Sequence, residues 1–475
     1  MKFYNKANRT LLPAFLLLAT VLTSCKKYLE VPLPIDQLST GNVFNTKPTI
    51  ISAVNGMYSA FNESLIKPNY YKITYWWSDE GEITPLPGSE IGDIISGNIV
   101  PANSQLMQWV FFYRTIFRAN TLIEKLPAVG TDIITDTEKK QFIAAAKYVR
   151  AAEHFILVNS WGDVPLITSS SADENLNKPR TPVSEVYDQI IKDLQEAAAD
   201  LPATVNISNS KTIHNKFQPL ALLAKVYLYL GRWAEAETTA SQVINSGQYL
   251  LVSGVNNVFK RGSREAIFSQ GAAGTGLLFD NRAVLGWFTL PATSGNTSSS
   301  HCAIPAAMLS RFEAGDQRNV SGNWTISLFG KVFANKYLHN SSATTTTINA
   351  NPQDFIYQRL AELYLIRAEA RAQQGNITGA NSAASDINLV RTRAGLANTT
   401  AASQTQMLAA VEKERVTELF YEGHRWYDLK RTGQLQTVLS AVPYKAANYK
   451  AHYNLWPIPL TELNNSPNLS QNPGY

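Results

Sequence analysis

Glu414, Glu418 and Glu422 stand four residues apart, so on a helix they line one side, with Arg415, Arg425, Asp428 and Arg431 close by. Such a row could do acid–base work if its carboxyls titrated apart, or it could be a set of ion pairs, since arginines at mixed spacing reach such carboxylates. Asp79, Glu80 and Glu82 pose the same choice. They could be a carboxyl pair of the kind that cleaves glycosidic bonds, or polar turn and binding residues in a loop. The glycine run Gly271-Ala272-Ala273-Gly274-Thr275-Gly276 lacks the Lys-Ser/Thr ending of a phosphate loop and reads as a connector. None of the six histidines sits in an HExxH pattern, there is no GxSxG elbow, and His301-Cys302 lacks further ligands at tetrahedral spacing. The sequence therefore calls for no cofactor, no metal and no defined catalytic constellation.

The nine tryptophans offer different chemistry. Sugar rings present apolar C–H faces that stack on aromatic planes, and neighbouring acids or amides can bind their hydroxyls. Trp161, Trp233, Trp426 and Trp456 fall within helical or recurring blocks and read as core, while Trp109 is ambiguous. Trp76, Trp77, Trp287 and Trp324 remain, all in stretches without helical period, with Asp79 and Asp280 as polar neighbours. These six form the candidate ligand platform. The competing reading packs each ring under its own loop.

Residues 219–244 give the clearest helical pair. Leu220, Leu223, Ala224, Tyr227 and Leu228 share one face, Leu230-Gly231-Arg232 turns the chain, and Trp233, Ala236, Ala240, Val243 and Ile244 face back. "YLYLGRWAEAETTASQVI" (227–244) matches the tetratricopeptide pattern. A second pair follows Gln358, with Ala361, Tyr364, Leu365, Ala368 and Ala372 aligned and Gly375-Asn376 as its turn. A third joins Phe142, Ala145, Val149, Ala152 and Ile156 to a helix opened by Thr181 as cap and Pro182 as first residue. A fourth links 50–61 to 105–126. Residues 70–104 and 271–351 break the helical reading, and the tail from 432 is irregular. The expected fold is all-α, on about four tetratricopeptide-like helix pairs. Its scaffold covers 41–270 and 352–431, with a loop-rich insertion at 271–351.

The N-terminus is the most specific local signal. Lys2, Lys6 and Arg9 lead into the apolar run 11–22, too short to span a bilayer, and then Leu22-Thr23-Ser24-Cys25. This resembles a lipoprotein signal peptide (1–24) with Cys25 as the lipid-bearing residue and an extended tether over 25–40. Cys25 and Cys302 are the two cysteines, so acylation of one leaves no internal disulfide. The net charge of +5 includes the three cations of the leader, and the remainder shows no clustered Lys/Arg that would suit nucleic acid.

Several blocks together resemble the SusD/RagB family. They are "AAAKYVRAAEHFILVNSWGDVPLIT" (144–168), "RTPVSEVYDQIIKDLQEAAADLP" (180–202), "AELYLIRAEARAQQGN" (361–376), "INLVRTRAGL" (387–396), "ERVTELFYEGHRWYDLKR" (414–431), "LWPIP" (455–459) and "QNPGY" (471–475). The resemblance spans the chain from Cys25 to Tyr475 in family order. It implies a helical protein on the outer surface of Bacteroidetes-type cells that caps a SusC-like TonB-dependent transporter. There it would capture a glycan, or less often a peptide, without catalysis. It also favours the ion-pair reading of the Glu414 row. A surface glycan hydrolase and an inert surface scaffold are the competing classes. Family members often place acids after the lipidated cysteine, whereas here Lys26 and Lys27 come first.

The leader carries its own test. With Cys25→Ala the chain should leave the membrane fraction, because acyl chains, at about 0.8 kcal/mol per buried methylene, are its expected hold. Mass spectrometry of the native N-terminus should find diacylglycerol on Cys25, and an unmodified N-terminus elsewhere would refute the assignment.

Overall fold

The structure, a computed structural model, describes residues 40–66, 70–82, 90–102, 108–204, 214–271, 303–337 and 352–475. Cys25, Asp280, Trp287, His301 and Cys302 lie outside them. The chain divides into one unit up to Ile50 and a second from Ile51 onward. In the first, the described residues hold the short helix Thr40–Val43 and the opening of a longer one.

Helices dominate the second unit. Leaving single turns unnumbered, they are α1 (Lys47–Ile66, which begins in the first unit), α2 (Tyr70–Trp77), α3 (Glu90–Ser96), α4 (Trp109–Lys125), α5 (Asp136–Trp161) and α6 (Val183–Asp200). There follow α7 (Phe217–Tyr229), α8 (Trp233–Ile244), α9 (Leu360–Gln373), α10 (Ala383–Arg393), α11 (Gln404–Leu419) and α12 (Arg425–Arg431). Helices α4 to α11 pack largely in chain order: α4 on α5, α5 on α6, α6 on α7, α7 on α8, α8 on α9, and α9 on both α10 and α11. Three of the expected helix pairs, α5 with α6, α7 with α8 and α9 with α10, are packed as such, and the all-α class holds; α1 and α4 of the fourth are linked by Arg114 to Glu63 and Arg118 to Gly56 O.

Helix α5 shows how local sequence and packing agree. Thr135 and Glu138 close a capping box at its start, with the Thr135 hydroxyl accepting from Glu138 N at 3.2 Å and the Glu138 carboxylate accepting from Thr135 N at 3.0 Å. Gly162, at φ 77°, ends it. In between, Ala145, Val149, Ala152 and Ile156 are buried as their spacing predicts, each larger apolar side chain contributing about 1.5–3 kcal/mol. Arg150 is buried too. It pairs with Asp193 of α6 at 2.7 and 2.8 Å and donates to Asn120 of α4 at 2.8 Å, pinning three helices together.

Two expectations need correction. Residues 70–104 are not without helix, since α2 and α3 lie there. Thr181 does not cap α6: the helix begins at Val183, whose N–H is accepted by the distant Asp163 carboxylate at 3.0 Å. The loop-rich insertion contains a β-hairpin, β2 (Thr325–Leu328) with β3 (Lys331–Ala334). A second pair joins β1 (Ala266–Gly271) to β4 (Asp354–Arg359), which runs directly into α9.

Candidate functional site

Two chain segments meet beside α2 through backbone hydrogen bonds. Glu82 N donates to Ala303 O at 2.7 Å and Ala303 N returns to Glu82 O at 2.8 Å. Ala303 also bridges Phe333 of β3, and Ile304 N donates to Val332 O at 2.8 Å. The chain leaves this junction at Glu82 towards 83–89 and re-enters it at Ala303 after 272–302, so the aromatic- and glycine-rich stretches of the sequence start or end here. Tyr444 and Tyr421 brace it, donating to Gly81 O at 2.7 Å and to Ala303 O at 3.3 Å.

Asp79 and Glu80 sit at its edge, one residue apart with opposite electrostatics. Asp79 is held by both nitrogens of a fork from Arg425 of α12, at 2.7 and 3.0 Å, with Arg311 at 3.8 Å. Burial works to raise its pKa, but the Arg425 and Arg311 guanidiniums prevail and hold it below the usual carboxylate range. Arg425, itself buried, also takes Glu412 at 2.7 Å, so acids and arginines form a small network here. Glu80 is enclosed. Its Oε1 accepts from Tyr421 N at 3.1 Å, its Oε2 has no hydrogen-bond partner, and burial with the neighbouring Asp79 charge pushes it up to about 8.

The tryptophans fall differently from expectation. Trp76, Trp77 and Trp324 are at most 1% exposed. Trp77 stacks on Trp456 at 5.6 Å and 4°, and tilts against Trp426. Trp324 donates to Val255 O at 2.8 Å and lies under the Lys336 ammonium, 4.5 Å from the ring centre. A ring with both faces covered cannot stack on a sugar, so these three are core residues and the platform expected of them is withdrawn. Of the six candidates, Asp79 alone is both described and partly open to solvent. Arg311 and its place beside Asp79 had no signal in the sequence, because that contact joins segments far apart along the chain.

The Glu414 row is an ion-pair network. Arg318 pairs with Glu414 at 2.5 Å, Glu418 at 3.0 Å and Asp316 at 2.8 Å, while Arg359 pairs with Glu422 at 2.7 Å and Glu265 at 3.0 Å. Arg415 and Arg431 share Asp428 at 2.9 and 2.8 Å.

A second concavity, of about 810 Å³, opens where the end of α5, the start of α6, α12 and the C-terminal tail converge. The recurring blocks meet here. Trp161 donates to Pro457 O at 3.0 Å, Asn472 donates to Trp161 O at 3.0 Å and Trp456 O at 2.7 Å, and Arg180 donates to Asp163 O at 2.7 Å and Asn472 Oδ1 at 2.5 Å.

Comparison with known proteins matches this architecture. A family profile described as "SusD family" matches residues 309–475, and one described as "Starch-binding associating with outer membrane" matches 27–228. The chain belongs to the SusD/RagB family. It is 25% identical to SusD-like protein P38 of Formosa agariphila, covering 96% of each chain. It is 38% identical over 122 residues to the starch-binding protein SusD of Bacteroides thetaiotaomicron, covering 25% of this chain and 21% of that one. A solved structure of a laminarin-binding SusD-like protein superposes with a TM-score of 0.73 at 27% identity, over 90% of this chain and all of that one. A SusD superfamily protein from Parabacteroides distasonis shares the fold, with a TM-score of 0.80 at 22% identity.

Glu80 gives a direct test of the junction. A carboxyl held near pH 8 in the folded chain and ionised in the unfolded one loses stability as pH rises from its ordinary value towards 8. Glu80→Gln keeps an acceptor for Tyr421 N and removes that loss. Its melting temperature should exceed the wild type at pH 8 and converge with it near pH 5. Equal offsets at both pH values would show that Glu80 does not carry the proton.

Proposed function

We propose that this chain is an outer-membrane lipoprotein that captures an oligosaccharide or polysaccharide and passes it to a SusC-like TonB-dependent transporter. The observation that carries the reading is family membership with near full-length similarity, including the laminarin-binding relative. The profile described as associating with the outer membrane supports the location. So does Cys25 after its basic and apolar leader. Among the described residues no helix is long and apolar enough to cross a membrane, which leaves the lipid as the proposed hold.

The capture surface is proposed on the segments that leave the Glu82–Ala303 junction. Trp287 and Asp280 lie in the stretch that re-enters at Ala303, with the partly exposed Asp79 and Arg311 at its edge. A stacking indole at the centre of such a surface is worth about 2 kcal/mol on truncation, roughly thirtyfold in affinity.

Calorimetry against a panel of neutral glycans should find a ligand for the wild type. Trp287→Ala should then weaken it about thirtyfold without lowering the melting temperature, and normal binding by that variant would move the platform elsewhere. Trp324→Ala should differ in kind, losing binding only through unfolding.

The transporter has its own measurement. Native membranes dissolved in mild detergent should yield this chain together with a large β-barrel receptor, through an interface above about 1,600 Å². Repeated recovery of the chain alone would count against that partner.

A further inference from the structure

Helix α12 presents three neighbouring cations, and the structure treats one of them differently. Arg425 has Asp79 and Glu412, and Arg431 has Asp428 and Glu369. Lys430 has no carboxylate within ion-pair reach among the described residues. Its ammonium donates to Asn159 O at 2.6 Å, one of the last carbonyls of α5, and lies 5.4 Å from the Trp426 ring centre. Capping a helix end uses one of its three N–H groups. It does not explain the missing counter-charge.

Lys430 lines the 810 Å³ concavity, and so does Tyr229, whose buried hydroxyl has no hydrogen-bond partner. Arg180 lines it as well, donating to the uncharged Asp163 O, Trp161 O, Ser470 O and Asn472 Oδ1 and, among the described residues, to no carboxylate. Asp163 is the acid of the lining, and its Oδ1 accepts from Val183 N. The cleft is thus cationic at its wall, with an unused hydroxyl donor. Its rim carries the exposed Asn454, Asn468 and Ser470, side chains that suit ring hydroxyls.

We propose that this cleft is a second binding site, for an acidic saccharide whose carboxylate pairs with the Lys430 ammonium and whose hydroxyls meet the amide rim. The choice of a saccharide rests on the glycan-binding reading above; the choice of an anion rests on the cleft alone.

A pH signature accompanies it. Burial pushes Lys430 down to about 7, so binding an anion takes up a proton and weakens as pH rises from 6 to 8. The other charged or titratable groups lining the cleft are Asp163, Arg180, Arg431, Tyr187, Tyr229 and Tyr427. Burial raises the Tyr187 and Tyr229 hydroxyls above their ordinary value, so neither ionises in that window.

The test uses the full chain and a pair of probes, an oligogalacturonide and its fully methyl-esterified form, which share a backbone and differ in the charge that the ester methyls remove. The acid should bind at least tenfold tighter than the ester at pH 6, and several-fold more weakly at pH 8. Lys430→Gln should abolish the preference for the acid while keeping any neutral glycan bound at the junction. Lys430→Arg keeps a cation that does not titrate between pH 6 and 8. It should keep the preference for the acid and lose its fall at pH 8, which keeps the test valid if the Lys430→Gln variant folds poorly. Equal affinity for acid and ester, no binding of the acid, or the same pH fall in Lys430→Arg overturns the proposal. None of these results bears on neutral-glycan capture, whose failure would show in the Trp287 experiment.

Discussion

Glu418 and Arg359 meet where neither is open to water, and much of the C-terminal half is arranged to make that meeting possible. Taking such charges out of water costs several kcal/mol per ion, and attraction repays it only when every donor and acceptor is used. Here they are. Arg359 reaches Glu422, Glu265, the Glu418 carboxylate and the Glu418 carbonyl, and Arg393 reaches Glu265 and Glu418 from the next helix. Burial alone would raise the pKa of Glu418. Arg393, Arg359, Arg318 and Lys336 overcome it and hold the carboxyl well below its ordinary value. Removing one partner of a buried set like this costs about 3–5 kcal/mol, because the others are left charged and unpaired.

The same cluster fastens the loop-rich insertion to the helices. Asp316 and Arg318 precede β2, and Lys336 follows β3. Arg318 is shared with Glu414 and Glu418 of α11, while Lys336 bonds Glu422 at 2.6 Å and Glu418 O at 2.7 Å. The ammonium also sits 4.1 Å from the Phe420 ring centre, and Trp324 packs beneath it. Charge pairs fix register as well as distance, so β2 and β3 cannot slide along α11 without unpairing several groups at once. Ala303 bridges β3, and through it the junction with Glu82 inherits that fixed position.

How much of this was legible follows from how local each feature is. The face formed by Leu220, Leu223, Ala224, Tyr227 and Leu228 is written in one stretch and is buried as read. The glutamate row could be recognised as ion pairing, but its partners Arg318 and Arg359 come from the insertion and from β4, and no spacing rule names them. The tryptophans failed for the same reason. "YYKITYWW" carries apolar residues all round and so shows no period, yet α2 forms because Trp456 and Trp426 from the far end of the chain enclose it. Assigning a ring to the surface because its neighbourhood lacks a pattern ignores what distant residues can cover. The Asp163 cap of α6 was hidden likewise, since Thr181 beside Pro182 is the better local candidate.

The arrangement also limits what the described carboxylates can do. A general acid must hold a proton near neutral pH and reach a substrate, and a general base must be free to accept one. Asp79 is ionised by Arg425 and spends both oxygens on it. Glu80 does hold a proton, with a pKa of about 8, but it is enclosed beneath Tyr421 and no substrate oxygen can approach it. Glu414, Glu418 and Glu422 are buried against guanidiniums and the Lys336 ammonium. These acids have the residue types of a hydrolytic pair and none of its access. Around Asp79 and Arg425 the charges are likewise spent on one another, Arg425 being buried and shared with Glu412, so this group fixes the junction and has no proton to move.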